Sequence, residues 1–574
     1  MSRNKVFALA LLPLLLVGCS NTTTSNSEEG HHTFQLQTAP FYIPKFNGSN
    51  YYEEKVTDFE YGCYEDEPLI AYITLGTALN VLFDEVTETR WQDQITYACP
   101  DQLSFVVSKG EKTITAKNYD EINLFSKKHD TKMGIIDEET TRDYVKNNEH
   151  VYTGGEDVVF NLGFYDLNII EFENKFYIPF SIVNAITFNY AYWSSVNFNG
   201  TAFYLLDMIS EAAGLGGPTT SYMTHFYQGE MRKQNGRKKE YFVEYNYKAF
   251  MFQLDYFYGF RDEKMVPFND YLTENYPDVV TMLKSNDEQD YCRGVEKIME
   301  QIIGDGHTNT GSASSACYTG TYNPGRYSSE REEQLSRDSM DCYIARYETL
   351  GRNIPMVRYS GSTAIISFDG FYHAGIKFTS SNITRYADED GFALFYSAFK
   401  NIKAKSTVKN IIFDITINGG GDTNALVPML GFFVPSVDLV MYSPLSKLTA
   451  KLSYSVDTNL DGVYDENDCL QDKYNFYILT SNYSFSCANL FPQIAKETGS
   501  AKIIGEQSGG GACVVYYSAT PDGKTYRISS NARDGRPEDF TKHRDDGIPV
   551  DYELNRQYFY NDSYLNTFVN NLSD

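Results

Sequence analysis

One junction recurs in the C-terminal half of this chain and constrains its fold more than any other feature. A short apolar run ends in a glycine- or serine-rich stretch, and helical periodicity follows. Asn410 to Ile417 reads as a strand running into Asn418-Gly419-Gly420-Gly421. Asn475 to Thr480 reads as a strand running into Ser481 to Asn489, with a helix to about Thr498. Lys502-Ile503-Ile504 runs into Gly505 to Gly511. Upstream, Ala364-Ile365-Ile366-Ser367-Phe368 reads as a strand. Glu389 to Ala404 reads as a helix, with Phe392, Phe395, Ala398, Phe399 and Ile402 on one side. Strands alternating with helices predict β/α layering, and such folds carry their sites on the loops that follow the strands.

The rest of the chain has a different character. With 574 residues it is long enough for roughly three domains. Residues 34–245 read as strand and turn, for example Leu69 to Ile73 and Lys175 to Phe180, and suit a binding or positioning region. Residues 246–310 are helical: Val295, Ile298, Met299, Ile302 and Ile303 share one helix face, which stops at Gly304. Residues 311–360 read as a linker, rich in Ser, Gly, Tyr and charge over 311–335. The expectation is an α+β / α/β multidomain chain: a β-rich N-terminal region, a helical segment, then a β/α core over 361–574.

The N-terminus predicts how the chain is attached. Arg3 and Lys5 precede an apolar run from Val6 to Val17, too short to span a bilayer and right for a signal segment. It ends Leu16-Val17-Gly18-Cys19, which resembles a bacterial lipobox; the resemblance implies a signal peptide over 1–19 and lipidation of Cys19. Residues 20–33 read as a flexible tether. A lipid-anchored protein of the bacterial cell envelope, facing outside the cytoplasm, is expected. The net charge of −27 argues against nucleic-acid partners and against electrostatic attraction to an anionic membrane. Of nine cysteines, eight follow Cys19; no CxxC pair or Cys/His cluster has zinc-ligand spacing, and disulfides are permitted outside the cytoplasm.

Acyl transfer needs an activated nucleophile, a base within reach and N–H donors for an oxyanion. Ser486, in Tyr483-Ser484-Phe485-Ser486-Cys487-Ala488-Asn489, sits where strand gives way to helix. It is a nucleophile at a helix N-terminus or simply an N-cap. The glycine run Gly419 to Gly421 is an oxyanion loop or a tight turn. His307, in Gly304-Asp305-Gly306-His307-Thr308, follows an amphipathic helix and is a base or an ordinary loop histidine.

In order along the chain, these segments resemble the C-terminal processing (tail-specific) serine peptidases, best the branch of the tricorn core and the retinoid-binding repeats. The motifs are Asp305 to Thr308; Ile411 to Asp414 with the glycine run; Ser484 to Ala488; Ile503-Ile504-Gly505-Glu506 with Gly509-Gly510; and Gly547 to Asp551. The resemblance covers about 246–556. It implies a crotonase-like core, Ser486 as nucleophile, His307 as base, and Gly420 and Cys487 amides as the oxyanion hole, with Gly419 or Gly421 as substitutes. Four departures stand out. The lysine of the Ser–Lys branch is replaced by Gly511, and the serine before the histidine by Gly306. The orienting carboxylate falls near Arg544, leaving Asp545 as either orienter or part of a solvated charge run. No room remains for a PDZ insert between His307 and Thr363. The implied substrate is a protein or peptide; the alternative is a catalytically silent relative that binds a lipid, peptide or protein.

Two further expectations follow. Cys487 and Cys513 are expected as neighbours, disulfide-bonded or as two buried thiols. The segment Asp457 to Asp468 has EF-hand spacing, with Asp457, Asn459, Asp461, the Val463 carbonyl, Asp465 and Asp468 as ligands of a structural calcium ion, or is a polar turn. No organic cofactor is implied.

Overall fold

A computed structural model describes residues 33–46, 51–120, 122, 141, 143–192, 194–206, 226, 237–264, 267–310, 327–536, 539 and 543–572. The signal segment, Cys19, nearly all of the tether, Cys317 and residues 311–326 lie outside the described residues.

The C-terminal half is built on one six-stranded sheet. Its strands run in the order Arg358–Ser360, Thr363–Ser367, Asn410–Asp414, Asn475–Thr480, Lys502–Gly505 and Tyr552–Glu553. All neighbours pair in parallel except the first, an antiparallel edge. The central strands are apolar on both faces, as a covered parallel sheet requires. Alternation sends Ala364, Ile366, Ile411 and Phe413 to one core and Ile365, Ile412, Leu479 and Ile504 to the other. The first core is roofed by helices Gly391–Lys403, Thr423–Gly431 and Cys487–Glu497. Phe395 stacks on Phe413 at 4.9 Å, and Phe413 on Phe476 at 5.8 Å. The opposite face is closed by the C-terminal helix Asp562–Asn570 through Leu565 and Val569.

A second, antiparallel sheet joins the two halves. Its order is Cys513–Ala519, Thr525–Asp534, Val437–Tyr442, Leu448–Val456 and Val145–Gly154. The last strand comes from the N-terminal region, so pairing crosses the boundary expected at residue 245. The remaining N-terminal strands form a seven-stranded sheet, which includes the hairpin Phe34–Phe46/Tyr51–Tyr64, and a five-stranded sheet. Their aromatic core continues into helix Glu240–Phe257 and the Cys513–Asp534 hairpin. The molecule is thus a mixed α/β multidomain protein with a β-rich N-terminal region.

The expected helix before His307 is present. Helix Glu288–Lys297 continues as a π-helical turn, Ile298–Ile303, and ends at Gly304 with φ 58°. Val295, Ile298, Met299, Ile302 and Ile303 are all buried. The expected linker, in contrast, contains a helix of 21 residues, Glu330–Leu350. Ser329 and Glu332 close a capping box at its start. Its buried residues are Asp338, Cys342 and Arg346, a narrow and mostly polar stripe that carries no hydrophobic period.

Candidate active site

The loops after the parallel strands meet at Ser486. This residue precedes helix Cys487–Glu497 with φ 58° and ψ −122°, a conformation that costs a non-glycine residue about 1–3 kcal/mol. Its hydroxyl makes no capping hydrogen bond, which removes the reading of Ser486 as an ordinary N-cap. Neighbouring loops hold the strained turn in place. The Ser486 N–H donates to Gly510 O at 2.8 Å, the Phe485 N–H to Asn418 O at 3.2 Å, and the Ser484 hydroxyl to Ile415 O at 2.8 Å.

The glycine run is pressed against this turn. A Cβ on Gly420 would lie 2.7 Å from Ser486 Cβ and 3.1 Å from Cys487 N. The Gly420 N–H is already engaged, donating to Asn418 Oδ1 at 2.9 Å. This departs from the expected Gly420 donor. The amides of Cys487, Gly419 and Gly421 donate no hydrogen bond among the described residues. They sit on both sides of Ser486, two of them at a loop that backbone can approach closely only because it carries no side chains. The Cys487 thiol is buried, donates to Gly421 O at 3.1 Å, and is pushed up to about 12 by burial. It stays protonated and does not compete as nucleophile.

Gly511 stands where a lysine base would be. A Cβ there would lie 2.9 Å from Ser486 N and 2.7 Å from the Phe485 ring, at φ 90°. The turn leaves no space for a side chain at this position.

His307 reaches the site from the other side. Its ring packs edge-on against Phe485, with centroids 4.7 Å apart. It is 5% exposed, and burial pushes its pKa down to about 4, so the imidazole is neutral at pH 7 and able to accept a proton. No hydrogen bond joins His307 to Ser486 among the described residues, and Nδ1 is buried without a hydrogen-bond partner. Asp545, the expected orienter, is engaged elsewhere. Oδ2 pairs with Arg331 Nη1 at 2.8 Å and Oδ1 accepts the Ala512 N–H at 3.1 Å. It is therefore neither a solvated charge nor hydrogen-bonded to His307. Arg331, on the helix missed in the linker, also donates to Gly509 O at 3.0 Å and lies over Phe485. In the sequence this helix is marked by the capping-box spacing of Ser329 and Glu332 and by the i, i+3, i+4, i+7 spacing of Met340, Tyr343, Ile344 and Tyr347.

Cys487 and Cys513 are free and buried, so the disulfide expectation is corrected to two thiols. In the Asp457–Asp468 loop, Asp457 accepts the N–H groups of Asp461 and Gly462, and Asp468 those of Thr458, Asn459 and Asp465. Asp461 and Asp465 likewise accept amides, of Val463 and Asn467. Among the described residues no group of three or more His, Cys, Asp or Glu is placed to hold a metal.

Residues 376–554 match the family model of peptidase family S41, the tail-specific peptidases. The match takes in Ser486, the glycine run and Asp545 and begins after His307. The similar solved structures include a candidate peptidase from Parabacteroides merdae, at 15% identity over 57% of this chain and 96% of that one, TM-score 0.38. A lipoprotein from Streptococcus agalactiae shares 15% identity over 57% and 96%, TM-score 0.33. Photosystem II D1 C-terminal processing protease shares 17% over 36% and 50%, TM-score 0.26. Likenesses at these TM-scores carry no argument about this chain. No curated protein matches it.

Proposed function

We propose that this chain is a cell-surface, lipid-anchored serine endopeptidase that cleaves peptide bonds through a Ser486 acyl-enzyme. The observation that carries the reading is Ser486 itself: a strained, uncapped hydroxyl at a helix N-terminus, pressed against a glycine run inside a segment that matches a peptidase family. Ser486 Oγ attacks the scissile carbonyl while the neutral His307 ring takes its proton. The Cys487 amide, with that of Gly419 or Gly421, receives the oxyanion. His307 returns the proton to the leaving amine as the C–N bond breaks. Water, activated by the same ring, hydrolyses the acyl-enzyme and frees Ser486.

A fluorophosphonate probe tests this directly. Labelling of wild-type protein at Ser486, with none in Ser486→Ala, is expected; equal labelling of both refutes the reading. The same substitution abolishes peptide hydrolysis with the fold intact, and His307→Ala costs about 10²- to 10⁴-fold in turnover. A second reading is a silent relative that binds a lipid, peptide or protein. What favours it is the missing hydrogen bond between His307 and Ser486.

Two supporting proposals are independent of the chemistry. Cys19 is lipidated and anchors the chain in the bacterial envelope; mass spectrometry of the mature N-terminus decides this. Calcium in the loop 457–468 rests on sequence spacing alone and requires its carboxylates to turn away from the amides they now accept. An unchanged melting temperature at millimolar calcium removes it.

A further inference from the structure

Two carboxylates influence His307, and their surroundings differ. Asp545 belongs to a guanidinium: Arg331 Nη1 lies 2.8 Å from its Oδ2, and Arg331 Nη2 donates to its carbonyl oxygen at 2.6 Å. Asp305 is held by neutral donors alone. Its Oδ1 accepts the N–H of His307 at 3.0 Å and of Thr308 at 2.7 Å, and its Oδ2 accepts the Thr308 hydroxyl at 3.0 Å. Asp305 is 0% exposed. A buried anion satisfied by neutral donors is not neutralised, and its field acts over a short distance in a medium of low polarity.

We infer that Asp305, not Asp545, is the positioning carboxylate of His307. Its hydrogen bonds fix the loop that presents the imidazole, and its charge stabilises the imidazolium formed when Ser486 loses its proton. This rests on the Ser486–His307 reading above. The proton moves from Ser486 Oγ to the His307 ring and back to the leaving amine, and no bond forms or breaks at Asp305. The charged groups acting on His307 are Asp305 and Asp545, which favour its cation, and Arg527 and Arg331, which oppose it. Burial is the largest influence on the ring, and Asp305 is the strongest of the four charges. Nδ1 is buried and unpartnered, so Asp305 serves the ring through the loop and its field, not through a bond to Nδ1.

Asp305→Asn is the informative variant, because its side-chain carbonyl still accepts the two amides while the charge is gone. His307 is followed by NMR titration in the Ser486→Ala background, which needs no activity. Fluorophosphonate labelling of Ser486 in the otherwise wild-type chain is followed against pH. Asp305→Asn is expected to lower the His307 pKa by about one unit and the labelling rate about tenfold. The probe concentration for half-maximal labelling is expected to stay within about twofold. Asp545→Asn is expected to move the titration less. A larger shift in Asp545→Asn than in Asp305→Asn, or an unmoved titration in Asp305→Asn, overturns the inference. Should Asp305→Asn fail to fold, Asp545→Asn decides alone: a shift of about a full unit overturns the inference, and a smaller one supports it. Absence of labelling in wild type would sink the peptidase reading, while the titration would still report on Asp305.

Discussion

At the scale of single residues, the site depends on positions that no other side chain can occupy. Gly420 and Gly511 flank Ser486, both at positive φ, and a Cβ on either would meet the serine turn at under 3.0 Å. Gly420→Ala is therefore expected to displace Ser486 and lower fluorophosphonate labelling about a hundredfold. Gly499→Ala is the control. It shares the positive φ, at 67°, but a Cβ there meets nothing within 4 Å. It should cost stability through backbone strain and leave labelling intact. Equal loss of labelling in both would mean that strain, not the contact with Ser486, sets the effect. Ser486, His307 and the glycine run stood out in the sequence by residue type and order, and the structure brings the glycine run against Ser486 and the His307 ring against Phe485. The engaged amide of Gly420 and the pairing of Asp545 with Arg331 were not, since both depend on partners fixed only by tertiary structure.

At the scale of elements, helix Glu330–Leu350 ties the chain upstream of the core to the site. Arg331 reaches Asp545 and Gly509, Asp338 accepts from Arg556, and Arg346 pairs with Asp369. Its N-terminal capping box contains a titratable strain. Burial, with the Glu300 and Asp305 carboxylates nearby, pushes Glu332 up from 4.5 to about 7. A carboxyl whose folded pKa is raised contributes stability that is present below its unfolded pKa and lost as pH rises through the folded one. Glu332→Gln keeps the capping geometry and cannot ionise. It should melt with the wild type at pH 4.5 and above it at pH 8.5, by roughly 1 kcal/mol once solvent screening of this partly exposed group is discounted. Identical melting at both pH values would show that Glu332 ionises freely. The parallel strands were legible as short continuous apolar runs, and helix Gly391–Lys403 as one periodic apolar face. The packing of the Glu330–Leu350 helix was not, because it buries Asp338, Cys342 and Arg346. Its apolar spacing, Met340, Tyr343, Ile344 and Tyr347, faces outward.

At the scale of the whole molecule, the N-terminal region is part of the fold that holds the site. Strand Val145–Gly154 pairs with Leu448–Val456 along nearly its whole length, and Tyr144 stacks on Phe392 of the core at 4.4 Å. The Cys513–Asp534 hairpin, which follows the glycines beside Ser486, packs on the N-terminal region: Asn189 donates to Tyr517 O and the Tyr516 hydroxyl to Ala185 O at 3.5 Å. It packs as well on helix Glu240–Phe257, where Phe257 stacks on Tyr516 at 5.8 Å and Tyr526 donates to Gln253. Composition suggested a division near residue 245, because the strand-rich stretch gives way to helix there. A sheet whose strands are 300 residues apart leaves no such mark. Removing residues 1–236 would strip Leu448–Val456 of its partner and expose an edge with alternating apolar residues, a template for intermolecular pairing. It would also strip Tyr516, Tyr517 and Ser518 of their hydrogen bonds to Ala185 and Asn189. The chain 237–574 is therefore expected to elute as soluble aggregate on size exclusion and to lack a cooperative melt. The chain 33–574, which keeps both contacts, should elute as one species and melt cooperatively. A monomeric 237–574 that still labels at Ser486 would mean that the C-terminal half holds its loops alone, and that the shared sheet only attaches a second region to them.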